Sequence, residues 1–132
     1  MTSTAAPTAS PASIDFERIA ATYVAMWNAE DPAERRELVD ALCAPDVRYT
    51  DPLVDVSGAA DLAATIGAVQ EQFPGFAFTL LGAVDGHHGQ ARFGWELGPA
   101  GVPAPVAGFD VVALDEAAKV TRVLGFLDRV PS

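Results

Sequence analysis

The chain has 132 residues, of which half are apolar and a fifth are charged, and its net charge is −10 at pH 7. This length suits one domain with a single core, and the negative charge disfavours nucleic acids, acidic membranes and nucleotide-like substrates as partners. No glycine-rich phosphate loop follows a strand pattern. Composition therefore favours a neutral, mostly apolar small molecule as the ligand.

The first residues predict a flexible tail over 1–13, followed by a single domain over 14–132. Residues 2–13 are only Ala, Pro, Ser and Thr, without a charge, which is typical of a flexible segment. They lack the basic start and apolar block of a signal peptide. No apolar run approaches the ~20 residues of a membrane span. We therefore expect a cytoplasmic protein.

Three helices and a first strand are predicted next. Ser13 would cap the first helix, whose apolar stripe recurs at helical spacing through Tyr23 and Trp27. Asp31 as N-cap, with Pro32 at the first helical position, begins the second helix, which Pro45 would end. A strand over 47–51 and a third helix after Gly58 follow. The single cysteine, Cys43, has no partner for a disulfide or a metal site, so we expect it to be a small buried side chain.

The second half predicts antiparallel strands over 76–84, 90–97, 106–114 and 120–130, joined by turn-rich segments. Helices followed by long hairpins indicate an α+β domain whose bent sheet wraps the helices. Glycines at 94, 108 and 125 lie inside three of these strands. They mark either bends and bulges, or space for a large neighbour such as Trp95. His87 and His88 lie in a glycine-bounded turn, which favours exposed turn residues over metal ligands.

Three polar residues lie in segments that are otherwise apolar. Asp51 ends a strand and precedes Pro52, so it is either a general base with a defined direction or an exposed turn acid. Tyr23 lies within the apolar stripe, and its hydroxyl needs a partner, either a ligand oxygen or a backbone carbonyl. Asp110 interrupts an apolar strand, so it must be protonated, or paired with Arg92, Arg122 or a backbone amide.

Four segments carry a recognisable family pattern. They are YVAMWNAED at 23–31, APDVRYTDP at 44–52, FPGF at 73–76, and GFDVV, KV and GFLD between 108 and 128. These segments resemble the NTF2-like superfamily, which includes SnoaL-like polyketide cyclases and ketosteroid isomerases. The resemblance covers nearly all of residues 14–130. It implies an NTF2-like cone-shaped barrel in which three N-terminal helices pack in a curved, mostly antiparallel sheet. A deep apolar pocket and a homodimer are also implied.

The resemblance also implies roles for single residues. In ketosteroid isomerases a first-helix tyrosine and a late-strand aspartic acid bind the substrate oxygen, and an aspartate before a proline is the general base. Tyr23, Asp110 and Asp51 occupy these positions. The segment before Asp51 is several residues longer than in those isomerases, and Asp-Pro is widespread in the superfamily. For a SnoaL-like cyclase, either Asp110 or Asp128 could be the catalytic acid.

The sequence therefore predicts a small enzyme, without metal or organic cofactor, that shifts a proton on a neutral, apolar carbonyl compound such as a steroid-like ketone. Asp51 would be the base, with Tyr23 and Asp110 as stabilisers of the enolate oxygen. The substrate-binding residues, which exclude water, would be Trp27, Phe93, Trp95 and Phe126. Two alternatives stay open: a non-catalytic domain that binds a small molecule or a protein, and a polyketide cyclase with a wider cavity.

Overall fold

A computed structural model describes residues 13–131 of the chain. Within this range the chain forms three helices and six strands: α1 (Phe16–Asn28), α2 (Pro32–Leu42), β1 (Cys43–Thr50), β2 (Asp55–Ser57), α3 (Ala59–Gln72), β3 (Ala77–His87), β4 (Gln90–Gly98), β5 (Val106–Leu114) and β6 (Val120–Arg129). The tail predicted for 1–13 lies outside the described residues except for Ser13. None of the helices in this range is long and apolar enough to cross a membrane.

The helix starts follow from their caps. Asp15, and not Ser13, caps α1, because its carboxylate accepts a hydrogen bond from the Arg18 amide at 3.0 Å. Asp31 caps α2 as predicted, accepting from the Glu34 amide at 3.0 Å. The second helix ends at Leu42, before Pro45, and β1 begins directly. Proline has no N–H to donate, and the β1–β6 ladder is interrupted between Cys43 and Arg48.

The six strands form one curved, unclosed sheet in the order β2-β1-β6-β5-β4-β3. The β1–β6 pairing is parallel and all others are antiparallel. The short strand β2 was not predicted from the sequence; it folds back on β1 immediately after the Asp51–Pro52 turn. Its presence matters for the site, because it fixes the end of β1 where Asp51 lies.

The helices pack on the concave face of the sheet and bury a single apolar core. Its fully buried side chains come from every layer: Met26, Val39, Val47, Leu62, Ile66, Val112, Val120 and Val123. Cys43 is buried among them as expected, and burial raises the pKa of its thiol to about 12. The thiol therefore stays protonated and unreactive at neutral pH.

Gly108, one of the strand glycines, gives packing space to a large side chain near the site. A Cβ on Gly108 would lie 2.8 Å from the Trp95 ring and 2.2 Å from the Phe126 carbonyl oxygen, so only glycine admits that indole. The β5–β6 register also shifts between Ala107 and Gly108. Both predicted roles of this glycine, space and bulge, are therefore found at one residue.

Candidate active site

A cavity of about 360 Å³ opens between α1, the end of α3 and the concave face of the sheet. Its lining is mostly aromatic and aliphatic, with five polar side chains among them: Tyr23, Tyr49, Asp51, Gln72 and Asp110. Exposed Leu53 and Val130 stand where the cavity meets solvent. All three predicted catalytic residues therefore line one cavity, as apolar ligand sites with a few polar groups do.

Tyr23 and Asp110 form a direct pair. The Tyr23 hydroxyl donates to Asp110 Oδ2 at 2.5 Å, and both side chains are almost fully buried. Neither Arg92 nor Arg122 pairs with this acid. Because a phenol has one proton to donate, Tyr23 in this geometry supports Asp110 and does not donate directly to a ligand.

The environment of Asp110 favours its neutral form. Burial raises the pKa of Asp110 to about 6; the hydrogen bond from Tyr23 and the nearby Trp95 indole oppose the rise, and the charge of Asp51 adds to it. Burial likewise raises the pKa of Tyr23 well above its ordinary value, and Asp110 adds to that rise. The Tyr23 phenol therefore keeps its proton at neutral pH, whereas the Asp110 carboxyl group gains or loses its proton near pH 6.

Asp51 has a different environment. It is half-buried, and its carboxylate accepts three hydrogen bonds: Oδ1 from the Leu53 and Val54 amides at 2.8 and 2.9 Å, and Oδ2 from the Tyr49 hydroxyl at 2.6 Å. Hydrogen bonds to a carboxylate stabilise its charged form. Asp51 is therefore a turn acid that also lines the cavity. Its Oδ1 is anchored in the turn, and its Oδ2 lies beside the Tyr49 hydroxyl.

Gly125 lies between the two acids. A Cβ on this residue would be 2.9 Å from Asp110 Oδ1 and 3.2 Å from the Cβ of Asp51, so both acids border the space that one methyl group would fill. Gly125 also pairs directly with Asp110 across β5 and β6. The absence of a side chain at this position lets the carboxyl groups approach each other.

The four residues predicted to contact substrate separate into two groups. Trp27 and Trp95 line the cavity. Phe93 does not: it is buried behind the site, with its ring edge-on to Tyr23 at 5.2 Å. Phe126 borders the cavity, but its ring lies on the opposite face of the sheet from Asp110, because Phe109 pairs with Phe126 while Asp110 pairs with Gly125.

The ring of Phe126 is therefore not an inner wall. It stacks on Phe109 with a centroid separation of 4.9 Å, and the residue is 47% exposed. The alternation of strand residues could have shown this, since 125 and 126 must face opposite sides. The aromatic part of the cavity lining is formed by Trp27, Phe78 and Trp95. The Phe78 ring lies 5.3 Å from the Trp27 ring and 5.3 Å from the Trp95 ring.

Two indole N–H groups in this wall are unpaired. The buried Nε1 atoms of Trp27 and Trp95 have no hydrogen-bond partner among residues 13–131. The Trp95 indole lies near enough to Asp110 to lower the pKa of that acid, although no hydrogen bond of acceptable geometry forms. The Trp27 indole likewise lowers the pKa of Tyr23. The two indoles therefore only partly offset the burial that raises the pKa of Asp110 and of Tyr23.

Sequence reasoning missed Tyr49. It lies two residues before Asp51, so the strand period places both side chains on one face, and it is buried with its ring 5.6 Å from Trp27. That spacing was the signal that could have identified it. Asp128, the alternative acid for a cyclase, is exposed. Within the described range no cluster of His, Cys, Asp or Glu could hold a metal ion, and His87 and His88 are exposed around a turn.

Comparison with known proteins identifies the family. A model described as a SnoaL-like domain matches residues 20–123. A protein from Agrobacterium tumefaciens, described as a candidate isomerase of the SnoaL-like family, is 42% identical with a TM-score of 0.82, and the match covers 86% of this chain and 97% of that one. None of the curated proteins matches the chain.

More distant structures share the fold alone. A candidate ketosteroid isomerase from Kribbella flavida is 21% identical with a TM-score of 0.65, covering 87% of this chain and 78% of that one. A candidate SnoaL-like polyketide cyclase from Jannaschia is 17% identical with a TM-score of 0.66, covering 92% and 91%. The helices on a curved, open sheet, the matched residues and the close relative agree: the chain belongs to the SnoaL-like family and has the NTF2-like fold.

Proposed function

We propose that this protein is a cofactor-independent isomerase that shifts a double bond in a neutral, apolar β,γ-unsaturated ketone. The observation that supports it is the pair of carboxyl groups in one apolar cavity with opposed environments. Three hydrogen bonds favour the charged form of Asp51, while burial favours the neutral form of Asp110. One group suited to take a proton and one suited to donate a hydrogen bond are the two roles such a reaction needs.

The reaction uses the two acids in sequence. Asp51 Oδ2 takes a proton from the carbon between the carbonyl and the double bond, and the C–H electron pair forms a new C=C bond as the carbonyl oxygen becomes an enolate. Protonated Asp110, whose Oδ2 already accepts from Tyr23, donates through its carboxylic O–H to that oxygen. Asp51 then returns the same proton to the γ-carbon, which restores the carbonyl and leaves a conjugated ketone.

The cavity favours a compact substrate. Its volume of about 360 Å³ is near the lower end of the ~300–1,000 Å³ range of ligand sites. Aromatic rings from Trp27, Phe78 and Trp95 form its wall, and the chain carries a net charge of −10. These features favour an uncharged ring compound over an anionic or extended one. The likeness to the candidate isomerase from Agrobacterium supports the same reaction type.

The test is a set of β,γ-unsaturated ketones of one to four rings, followed by the ultraviolet absorbance of the conjugated product. We expect turnover by the unmodified protein and a loss of about 10²–10⁴-fold in kcat/KM for Asp51→Asn. Asp46→Asn is the matched control, because Asp46 is an exposed acid on β1, the strand that Asp51 directly follows. No turnover of any ketone by the unmodified protein, or equal turnover by Asp51→Asn, would refute the proposal.

A second candidate function is binding without catalysis. It is favoured by the hydrogen bonds that anchor Asp51 Oδ1 to the amides of the turn, a contact that a purely structural acid would also make. Native mass spectrometry on freshly purified protein would detect a retained small molecule. A retained ligand whose binding is the same in Asp51→Asn, together with no turnover, would support this function. Turnover of a larger polyketide-like ester or ketone would indicate the cyclase alternative.

We further propose a homodimer formed through the outer face of the sheet. The stacked Phe109 and Phe126 rings lie there, and exposed Leu81 on edge strand β3 is in register with Phe109 through Gly94 of β4. Apolar side chains grouped on an exposed sheet face are typical of subunit contacts. Light scattering coupled to gel filtration measures the mass directly. A mass near 13.8 kDa at micromolar concentration would contradict the dimer.

A further inference from the structure

We infer that Tyr49 is a positioning residue for Asp51: its hydroxyl leaves the carboxylate a single free acceptor direction, and that direction faces the cavity. This inference deepens the proposed function and rests on it, since it concerns how Asp51 takes a proton. Neither the family resemblance nor the sequence pattern assigned a role to this tyrosine. The contacts around the Asp51 carboxylate carry the inference.

Few acceptor sites remain free on the Asp51 carboxylate. A carboxylate offers about two lone-pair directions on each oxygen. Oδ1 accepts from the amides of Leu53 and Val54, which fill both of its directions. Oδ2 accepts from the Tyr49 hydroxyl at 2.6 Å, which fills one of its two. One direction therefore remains, and it belongs to the oxygen that Tyr49 holds.

Tyr49 is a rigidly held donor. Tyr49 is 5% exposed, lies on buried strand β1 and packs its ring on Trp27. Burial, followed by the charge of Asp110 and the contacts with Asp51, raises the pKa of its phenol far above the ordinary value. Tyr49 is therefore always a donor, and its oxygen has a fixed place.

The backbone of Asp51 is fixed as well. Its own amide donates to the Val54 carbonyl at 2.9 Å, which closes the turn that leads into β2. Backbone and Oδ1 are thus set by the turn, and Tyr49 sets the remaining rotation of the carboxylate. Without the phenol hydroxyl, Oδ2 would have two open directions and only one of them would face a ligand.

The experiment compares Tyr49→Phe with the unmodified protein by ¹³C NMR of labelled aspartate side chains, with the Asp51 signal assigned from its loss in Asp51→Asn. A hydrogen bond from Tyr49 orients Oδ2 and polarises the carboxylate. We expect the Asp51 carboxyl signal at neutral pH to move and to broaden in Tyr49→Phe, because Oδ2 has lost its donor. The plateau of the kcat/KM profile should fall about tenfold through lost orientation.

Tyr23→Phe is the matched comparison, because it removes the other phenol of the cavity. It should move the carboxyl signal of Asp110, its own partner, and leave that of Asp51 nearly unchanged. An Asp51 signal that does not move in Tyr49→Phe overturns the inference, whether or not the protein is an isomerase. Conversely, a moved signal in a protein without turnover keeps the positioning role and refutes only the proposed reaction.

If the Tyr49→Phe variant does not fold, a second measurement tests the inference without it. In the unmodified protein, the two short phenol–carboxylate bonds at 2.5 and 2.6 Å should give two hydroxyl proton resonances far downfield at low temperature. Asp51→Asn, which replaces a half-buried side chain by an isosteric one, should shift one of them upfield and keep the other. Two unshifted resonances, or none assignable to Tyr49, would count against the inference.

Discussion

Asp110 should cost this protein stability at neutral pH, and Asp110→Asn should recover it. The acid is 3% exposed, and burial raises its pKa from 3.8 to about 6. The folded state therefore holds this proton more tightly than the unfolded state. Across the window between these two values the folded state binds more protons, so the free energy of unfolding falls as pH rises. Well above pH 6, the full loss of unfolding free energy is present.

The size of the effect follows from the two pKa values. Each unit of difference is worth about 1.4 kcal/mol, so the loss of unfolding free energy rises from about 2 kcal/mol at pH 5 to about 3 kcal/mol at pH 8. Asparagine does not titrate, and its carbonyl oxygen can still accept the Tyr23 hydroxyl. The unfolding free energy of Asp110→Asn should thus exceed that of the unmodified protein by these amounts, with a midpoint about 10 °C higher at pH 8.

The assay is urea unfolding of both proteins at several pH values from 5 to 8, with thermal melts alongside. Asp46→Asn is the control, because removal of any acid from a chain of charge −10 reduces general repulsion. The stability change caused by Asp46→Asn is subtracted from that caused by Asp110→Asn at each pH, and the remaining pH dependence is assigned to Asp110. A difference that is constant from pH 5 to pH 8, or a less stable variant at pH 8, would show that the pKa of Asp110 is not raised in the folded protein.

Three further outcomes are expected if the proposed reaction is correct. The kcat/KM profile should fall as pH rises through about 6, because the neutral acid is the active form of Asp110; an Asp110→Asn profile that still falls there would assign that limb to another group. Trp95→Phe should move the same limb to higher pH, since the indole favours the charged acid; a limb moved to lower pH would contradict this. Gly125→Ala should place a methyl group between Asp51 and Asp110, lowering kcat/KM at least tenfold and stability by about 1–3 kcal/mol. Gly101→Ala strains a surface turn, where φ is 82°, but meets no atom within 4 Å; it is therefore the control for a stability loss outside the cavity, and equal activities of the two variants would refute the role of Gly125.

Local sequence signals placed most elements within a few residues. Asp31 and Pro32 begin α2 because an N-cap acid and a proline act within one turn, and β5 spans Val106–Leu114 as predicted. The errors lie where tertiary contacts decide. Pro45 does not end α2, since the chain has already left the helix to enter β1. The three-residue strand β2 exists because β1 offers it an edge to pair with.

The amino-acid sequence by itself determined the family pattern, the α+β class and the identity of the polar residues that interrupt apolar segments. These are local properties, encoded in periodicity, caps and motif spacing. Only the tertiary structure decided how Tyr23, Asp51 and Asp110 are connected. Their hydrogen bonds join residues as far apart as 23 and 110, and the face that Phe126 presents depends on strand register. The role of Tyr49 likewise depends on one hydroxyl meeting one oxygen at 2.6 Å, a distance set by the packing of a whole sheet on its helices.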